Sequence, residues 1–144
     1  MIQKIDHIGI AVRSIEDAVK LYTDALGLTI QDIEVVEAYR VKIAMIPVGD
    51  SKIELVESTD PEGRIAKFID KRGEGLHHLA LEVSDIEAAL DSLKAKGIPL
   101  VDEKPRSGAG ETRVAFLNPT GTNGVSIELV EPKKVNTIAQ QEDK

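Results

Sequence analysis

The chain has 144 residues, 42% of them hydrophobic and 30% charged, which suits one domain with its own core and excludes wholesale disorder or a fibrous repeat. A formal net charge of −7 with only 3% aromatic residues removes the phosphate-facing charge and the stacking surfaces that a nucleic-acid binder uses. With no cysteine, disulfide frameworks, thiol nucleophiles and zinc-finger clusters are excluded as well.

In chain order, Ile8, Ile10 and Val12 alternate with His7, Gly9 and Ala11, the period of two expected of a strand with one face on a core. A helix follows, opened by Ser14 and Asp17 as a capping box, striped by Ile15, Ala18, Val19, Tyr22 and Leu26, and stopped at Gly27. Residues 29–36, 39–48 and 52–57 read as three strands. Residues 60–73 read as a linking helix, with Asp60 as cap, Pro61 in the first turn and Ile65, Ala66, Phe68 and Ile69 as its apolar stripe. The pattern then starts again. Leu79, Leu81 and Val83 mark a strand, Ser84 and Glu87 repeat the capping box, and Ile86, Ala89, Leu90 and Leu93 repeat the stripe before Gly97. Strands are expected at 99–102, 112–117 and 124–131, and residues 135–144 form a polar tail expected to fray.

The repetition extends to the letters. DHIGIAVRSIEDAV (6–19) aligns without gaps on HHLALEVSDIEAAL (77–90), and KIELVE (52–57) returns as SIELVE (126–131) with five of six positions identical. The expected fold is α+β: two tandem β-α-β-β-β modules, about 3–58 and 75–132, related by a pseudo-twofold axis within one domain spanning 1–134. No apolar run approaches the roughly 18–20 residues of a membrane span, and MIQKIDHIGIAV lacks signal-peptide order, so a cytoplasmic protein with no membrane partner is expected. A homodimer, the commonest closed assembly, is the expected oligomer.

Strand parity places four polar side chains. If Ile8, Leu79, Ile53 and Ile127 face the helices, then His7, His78, Glu54 and Glu128 face the other side of the sheet, on equivalent strands of the two modules. Two imidazoles and two carboxylates are ligands for zinc, nickel, cobalt or manganese, with room left for substrate oxygens. Polar residues at alternate strand positions also face plain water in many sheets. Against that, a solvated face has no reason to keep His at one module position and Glu at another, and Gly9, Ala11 and Ala80 leave space beside the histidines.

These residues resemble the vicinal oxygen chelate superfamily of glyoxalases, bleomycin resistance proteins and dioxygenases, whose paired modules form a curved mixed-sheet cup around a metal. Within it, IAKFIDKRGEGLHHLALEV (65–83), DEKPRSGAG (102–110) and GVSIELVE (124–131) are similar to the methylmalonyl-CoA epimerases of bacteria and archaea. The resemblance implies metal ligands at His7, Glu54, His78 and Glu128, holding one divalent ion per chain, cobalt first and nickel, manganese or zinc as alternatives. Many relatives carry glutamine where Glu54 stands. FLNPTGTNG (116–124) replaces a His-Pro-Lys stretch, so Asn118 and Thr120 stand for a histidine and a lysine. Some members have a second catalytic glutamate where this chain has Ile43, beside Lys42.

The activity implied is interconversion of (R)- and (S)-methylmalonyl-CoA, by proton abstraction and return at C2 through a metal-chelated enolate. Glu128 would serve as the first base and Glu54 as its partner on the opposite face. The acyl-CoA partner is polyanionic, and Lys67, Lys71 and Arg72, or Lys104 and Arg106, are the cations offered to its phosphates. The rival within the superfamily is glyoxalase I, with the same His, Glu, His, Glu order. A ring-cleaving dioxygenase needs the open position that Glu54 would fill, and a drug-sequestering resistance protein needs no metal at all.

Overall fold

The computed structural model describes residues 1–133, and the expected polar tail at 135–144 lies outside them. Eight strands form one continuous sheet: β1 (Ile2–Ala11), β2 (Asp32–Val36), β3 (Val41–Val48), β4 (Ser51–Ser58), β5 (Gly75–Val83), β6 (Arg106–Ser107), β7 (Arg113–Phe116) and β8 (Ile127–Glu131). Their spatial order is β2-β3-β4-β1-β5-β8-β7-β6, so each half reads outward as first, fourth, third and second strand of its module. The two halves meet where β1 pairs antiparallel with β5. Inside each half the first and fourth strands run parallel and the rest antiparallel, which makes the sheet mixed and the two modules equivalent about the β1–β5 seam. Among the described residues no helix is long and apolar enough to cross a membrane.

The helices sit where the apolar parity sends them. Against β1, β3 and β4, Val12, Ala44, Ile46 and Leu55 enclose Ile15 of α1 (Ile15–Val19), with Ile10, Ala18 and Tyr22 packed beside them. In the second module Ile86, Ala89 and Leu90 of α3 (Ile86–Ala95) pack on Val83, Ala115, Leu117 and Leu129. Full burial of an Ile or Leu side chain contributes about 1.5–3 kcal/mol, so these clusters fix the outer face of the sheet. The linking helix α2 (Arg64–Arg72) does something different: Ile65 and Ile69 pack on Ala11, Val41, Ile43 and Val56, the opposite face. The inner face of the first module is thus partly roofed by α2, whereas Ala80, Val114 and Val130 form a small separate cluster in the second.

Four expectations need correction. The first helix continues as a π-helical turn over Lys20–Ala25, with the amide of Leu26 donating to the carbonyl of Leu21; this wider turn rotates the stripe, and Leu26 is left 58% exposed. Ser14 caps α1 as expected, but α3 is capped by Asp85, which accepts from the amide of Ala88, not by Ser84. Helix α2 begins at Arg64 with Gly63 as its cap, because Asp60 closes a tighter turn by accepting from the amide of Glu62. Residues 99–102 contribute only a single bridge, Leu100 to Leu117, and the outermost strand of the second half is Arg106–Ser107 instead.

The sheet curls until its edges touch. The Tyr39 hydroxyl donates to the carbonyl of Ser107, and the amide of Gly110 donates to Glu34 Oε1 at 3.3 Å. Both bonds join the first module to the segment after residue 105, so the inner face becomes the wall of a cup.

Candidate metal centre

Near its midpoint β1 contains a bulge. Ile5 stands opposite Leu81 and His7 opposite Ala80, which leaves Asp6 without a partner across the strand pair. An extra residue of this kind lets neighbours point to the same side of a sheet, and both Asp6 and His7 are buried. His7 Nδ1 donates to Asp6 Oδ2 at 2.6 Å, which fixes the tautomer and turns Nε2 into the cup. The mirror-image irregularity lies on β5: Gly9 stands opposite His78 and Ile10 opposite Leu76, so His77 is the extra residue. Its Nδ1 lies 2.8 Å from His78 Nδ1, again leaving Nε2 of the inner histidine free.

The two Nε2 atoms come to 3.1 Å from each other. Glu54, from β4, places its oxygens 3.5 Å from both, and Glu128 Oε1, from β8, stands 3.2 Å from His7 Nε2 and 3.6 Å from His78 Nε2. His7, Glu54 and His78 offer ligand atoms all within 4.8 Å of one another. All four side chains are buried, and Glu128 Oε1 is a buried acceptor with no hydrogen-bond partner among the described residues. The curled sheet therefore brings His7, Glu54, His78 and Glu128 to one point.

This donor set fits a divalent cation. Burying carboxylates without compensating charge is expensive, and apart from the histidines the ion pair to Asp6 among the described residues comes from Lys52, 3.8 Å from Oδ1. Burial opposes charge on His7, yet Asp6, Glu128 and Glu54 outweigh it and push its pKa up to about 10. The same crowding holds Glu54 below the usual carboxylate range: burial works against ionisation, but His78 and His7 win. Asp6, likewise opposed by burial, is lowered chiefly by His7. Without a metal the site therefore draws in a proton as its cation. His77 differs: burial, reinforced by His78, drops it to about 4, so it is a neutral partner where Asp6 is a charged one.

Space is also arranged for the ligand set. A Cβ on Gly9 would lie 2.1 Å from His78 Cε1 and 2.6 Å from its Nε2, so the bare backbone of β1 is what lets that ring lie against it. Sequence reasoning noted the small residue but missed Asp6 and His77 as orienting groups; their signal was present, because the repeat aligns them with each other.

The remaining candidates scatter. Ile43 does face the cup, beside Met45 and Glu54, as hydrocarbon in the wall. Asn118 Oδ1 accepts from the amide and hydroxyl of Thr120, so both residues close a short turn and neither lines a cavity that contains Glu54. Lys67, Lys71 and Arg72 line another cavity, of about 690 Å³, with Phe68, Leu76 and Val125, and that cavity reaches His77 and His78. Arg106 lies inside the cup, and Lys104 is exposed.

Comparison with known proteins shows the family. Residues 6–116 match the family model described as the Glyoxalase/Bleomycin resistance protein/Dioxygenase superfamily. The chain is 41% identical over 130 residues to the uncharacterized protein YqjC of Bacillus subtilis, covering 90% of this chain and 93% of that one. It is 34% identical over 131 residues to an ethylmalonyl-CoA/methylmalonyl-CoA epimerase of Cereibacter sphaeroides, covering 90% and 98%. Among solved structures, methylmalonyl-CoA epimerase from Mycobacterium tuberculosis superimposes with a TM-score of 0.89 at 36% identity, covering 96% of this chain and 93% of that one. The chain belongs to the Glyoxalase/Bleomycin resistance protein/Dioxygenase superfamily and, within it, to the family of the methylmalonyl-CoA epimerases.

Proposed function

We propose that this protein epimerises methylmalonyl-CoA at C2 with a divalent metal, cobalt first, held by His7, Glu54, His78 and Glu128. The observation that carries the reading is the convergence of two oriented Nε2 atoms and two buried carboxylates in a cup whose sequence groups with the epimerases. The reaction removes a proton from a carbon between a carboxylate and a thioester, then returns one to the opposite face. A divalent ion, when bound, supplies Lewis-acid stabilisation of the negative charge that develops on the thioester oxygen.

The chain's own residues do the rest. Glu128, buried in the cup with Oε1 turned toward the two imidazoles, takes the C2 proton from one face. Glu54 stands at the pseudo-equivalent position across the β1–β5 seam and serves the other face. Each carboxylate has two oxygens, so one can face the ion and the other the substrate. Ile43 and Met45 on one wall, and Val114 and Val130 on the other, offer hydrocarbon to the substrate's methyl group and limit water around the reacting carbon.

Proton NMR in deuterium oxide tests the reading directly. Cobalt-loaded protein with (2R)-methylmalonyl-CoA is expected to lose the C2 proton signal and accumulate the other epimer, while a metal-stripped control does neither. Retention of the C2 proton at verified metal occupancy removes this substrate, and the hemithioacetal of methylglyoxal and glutathione is the next to try. The same reading takes the assembly as a cytoplasmic homodimer, which light scattering of the purified protein checks for its oligomeric part.

A further inference from the structure

The cup opens into two cavities that share Glu54 and Glu128 but differ in every other charge. One, of about 400 Å³, adds Arg40, Arg64 and Arg106 against Glu62; the other, of about 420 Å³, adds Asp6, Asp32 and Glu34 against Lys52. The strand register shows that this contrast is built into equivalent positions. In the first module Glu54 pairs with Met45, and Ile43, two residues along, pairs with Glu34. In the second Glu128 pairs with Phe116, and Val114, two residues along, pairs with Arg106. Paired residues and residues two apart share a face, so Glu34 and Arg106 occupy corresponding places on opposite walls of the cup.

Arg106 is held as a receptor is held. Its Nη2 donates to Asp102 Oδ2 at 3.2 Å, and its Nε lies 3.1 Å from Oδ1 but off the line of a hydrogen bond. Asp102 is itself fixed by the amide of Phe116, which donates to Oδ2 at 2.9 Å. The guanidinium lies over the Tyr39 ring at 5.2 Å and the Phe116 ring at 6.0 Å, and Tyr39 is tied across the cup to Ser107. Asp102 thus engages Nε and Nη2, while Nη1 makes no ion pair among the described residues and the side chain lines the cavity. A planar, pre-oriented guanidinium beside aromatic rings matches a carboxylate or phosphate.

We infer that Arg106 is an oxyanion receptor in the cup wall, and that the anionic part of the ligand lies in the arginine-lined cavity and not in the acidic one opposite. The inference rests on the acyl-CoA reading above, which supplies the oxyanions: the carboxylate on C2 or the phosphates of CoA.

Calorimetric binding to metal-loaded protein tests it with malonyl-CoA, which has no C2 stereocentre, and with S-malonyl-N-acetylcysteamine, which has no phosphate. Arg106→Gln is expected to weaken malonyl-CoA binding on the order of 10- to 100-fold, while Lys94→Gln, a charge loss on the outer helix α3, leaves it unchanged. A loss for both thioesters assigns Arg106 to the carboxylate; a loss confined to malonyl-CoA assigns it to a phosphate. Wild-type affinity of Arg106→Gln for both overturns the inference. If wild-type protein binds neither thioester, the acyl-CoA reading fails separately, and malonate and inorganic pyrophosphate decide the receptor: no binding by wild type, or equal binding by Arg106→Gln, overturns it, and selective loss supports it. Should Arg106→Gln fail to fold, Arg106→Lys keeps an ion pair to Asp102 but lacks Nη1, and the same losses are read on it.

Discussion

The two modules share a backbone and differ in what they hang on it. Both bulge one residue before the inner histidine, yet the extra residue is Asp6 in the first and His77 in the second. Both place a small residue two positions after that histidine, yet Gly9 admits an imidazole ring where the equivalent Ala80 carries a methyl group. Both end on a buried glutamate followed three residues later by another, yet Glu57 accepts from the amide of Ile15 while Glu131 pairs with Arg113 at 3.0 Å. The repeat therefore secures the position of the histidine–glutamate cluster, and the deviations from it make the two sides of that cluster different. A reaction that must treat two faces of one carbon differently needs that second property as much as the first.

Removing the two proposed bases one at a time tests that asymmetry most directly. Glu128→Gln is expected to lower turnover by about 10²–10⁴-fold while a bound metal remains measurable by elemental analysis. Glu54→Gln, which restores the side chain common among relatives, is expected to be the milder change. Equal loss in both, with metal retained, would mean that the two carboxylates are interchangeable and that the modules are functionally symmetric.

A smaller effect separates Gly9 from Ala80. Gly9→Ala is expected to push the His78 ring from its place and cut metal affinity by about 10–100-fold, the scale seen when ligand orientation is disturbed. Ala80→Gly removes a methyl group without displacing a ligand, and its metal titration should stay near that of the parent chain.

The histidine partners predict a one-proton asymmetry. His7, raised to about 10 when metal-free, carries its proton through the neutral range, whereas His77, lowered to about 4, does not. A metal needs neutral imidazole, so binding between about pH 6.5 and 10 should release the His7 proton, and affinity should rise about tenfold per pH unit there. The sign is opposite for folding of the metal-free chain: the charged His7 stabilises fully below its unfolded value near 6.5, and that contribution fades as pH rises through about 10. Titration calorimetry in buffers of different ionisation heat counts the proton.

The smallest expected effect lies far from the cup. Asp85→Ala removes the α3 cap and should cost about 1 kcal/mol in chemical denaturation, whereas Ser84→Ala should change little, although sequence alone favoured Ser84.

That last pair shows where sequence reading stopped. Serine and aspartate in succession are both good caps, and only the turn geometry selects between them. All strands but β6 were legible, because alternation and the internal echo agree over most of each module, whereas the two-residue β6 has no periodicity to read. The bulges were not, since a bulge is a statement about two strands and the seam between β1 and β5 joins segments about seventy residues apart. Arg106 reads as one of several cations offered to CoA phosphates, but nothing in the sequence places Tyr39, from the other module, against its guanidinium. Leu26 reads as core until the π-helical turn rotates it outward.

Helix α2 has a consequence beyond roofing one side of the cup. In a symmetric pair of separate half-sized chains, any mutation in the gene would appear on both walls at once, so Gly9 would be matched by glycine at Ala80 and Arg106 by arginine at Glu34. By carrying one module into the next within a single polypeptide, the helix lets each wall drift on its own. Handedness toward a substrate can then be acquired one codon at a time, with the shared scaffold left alone.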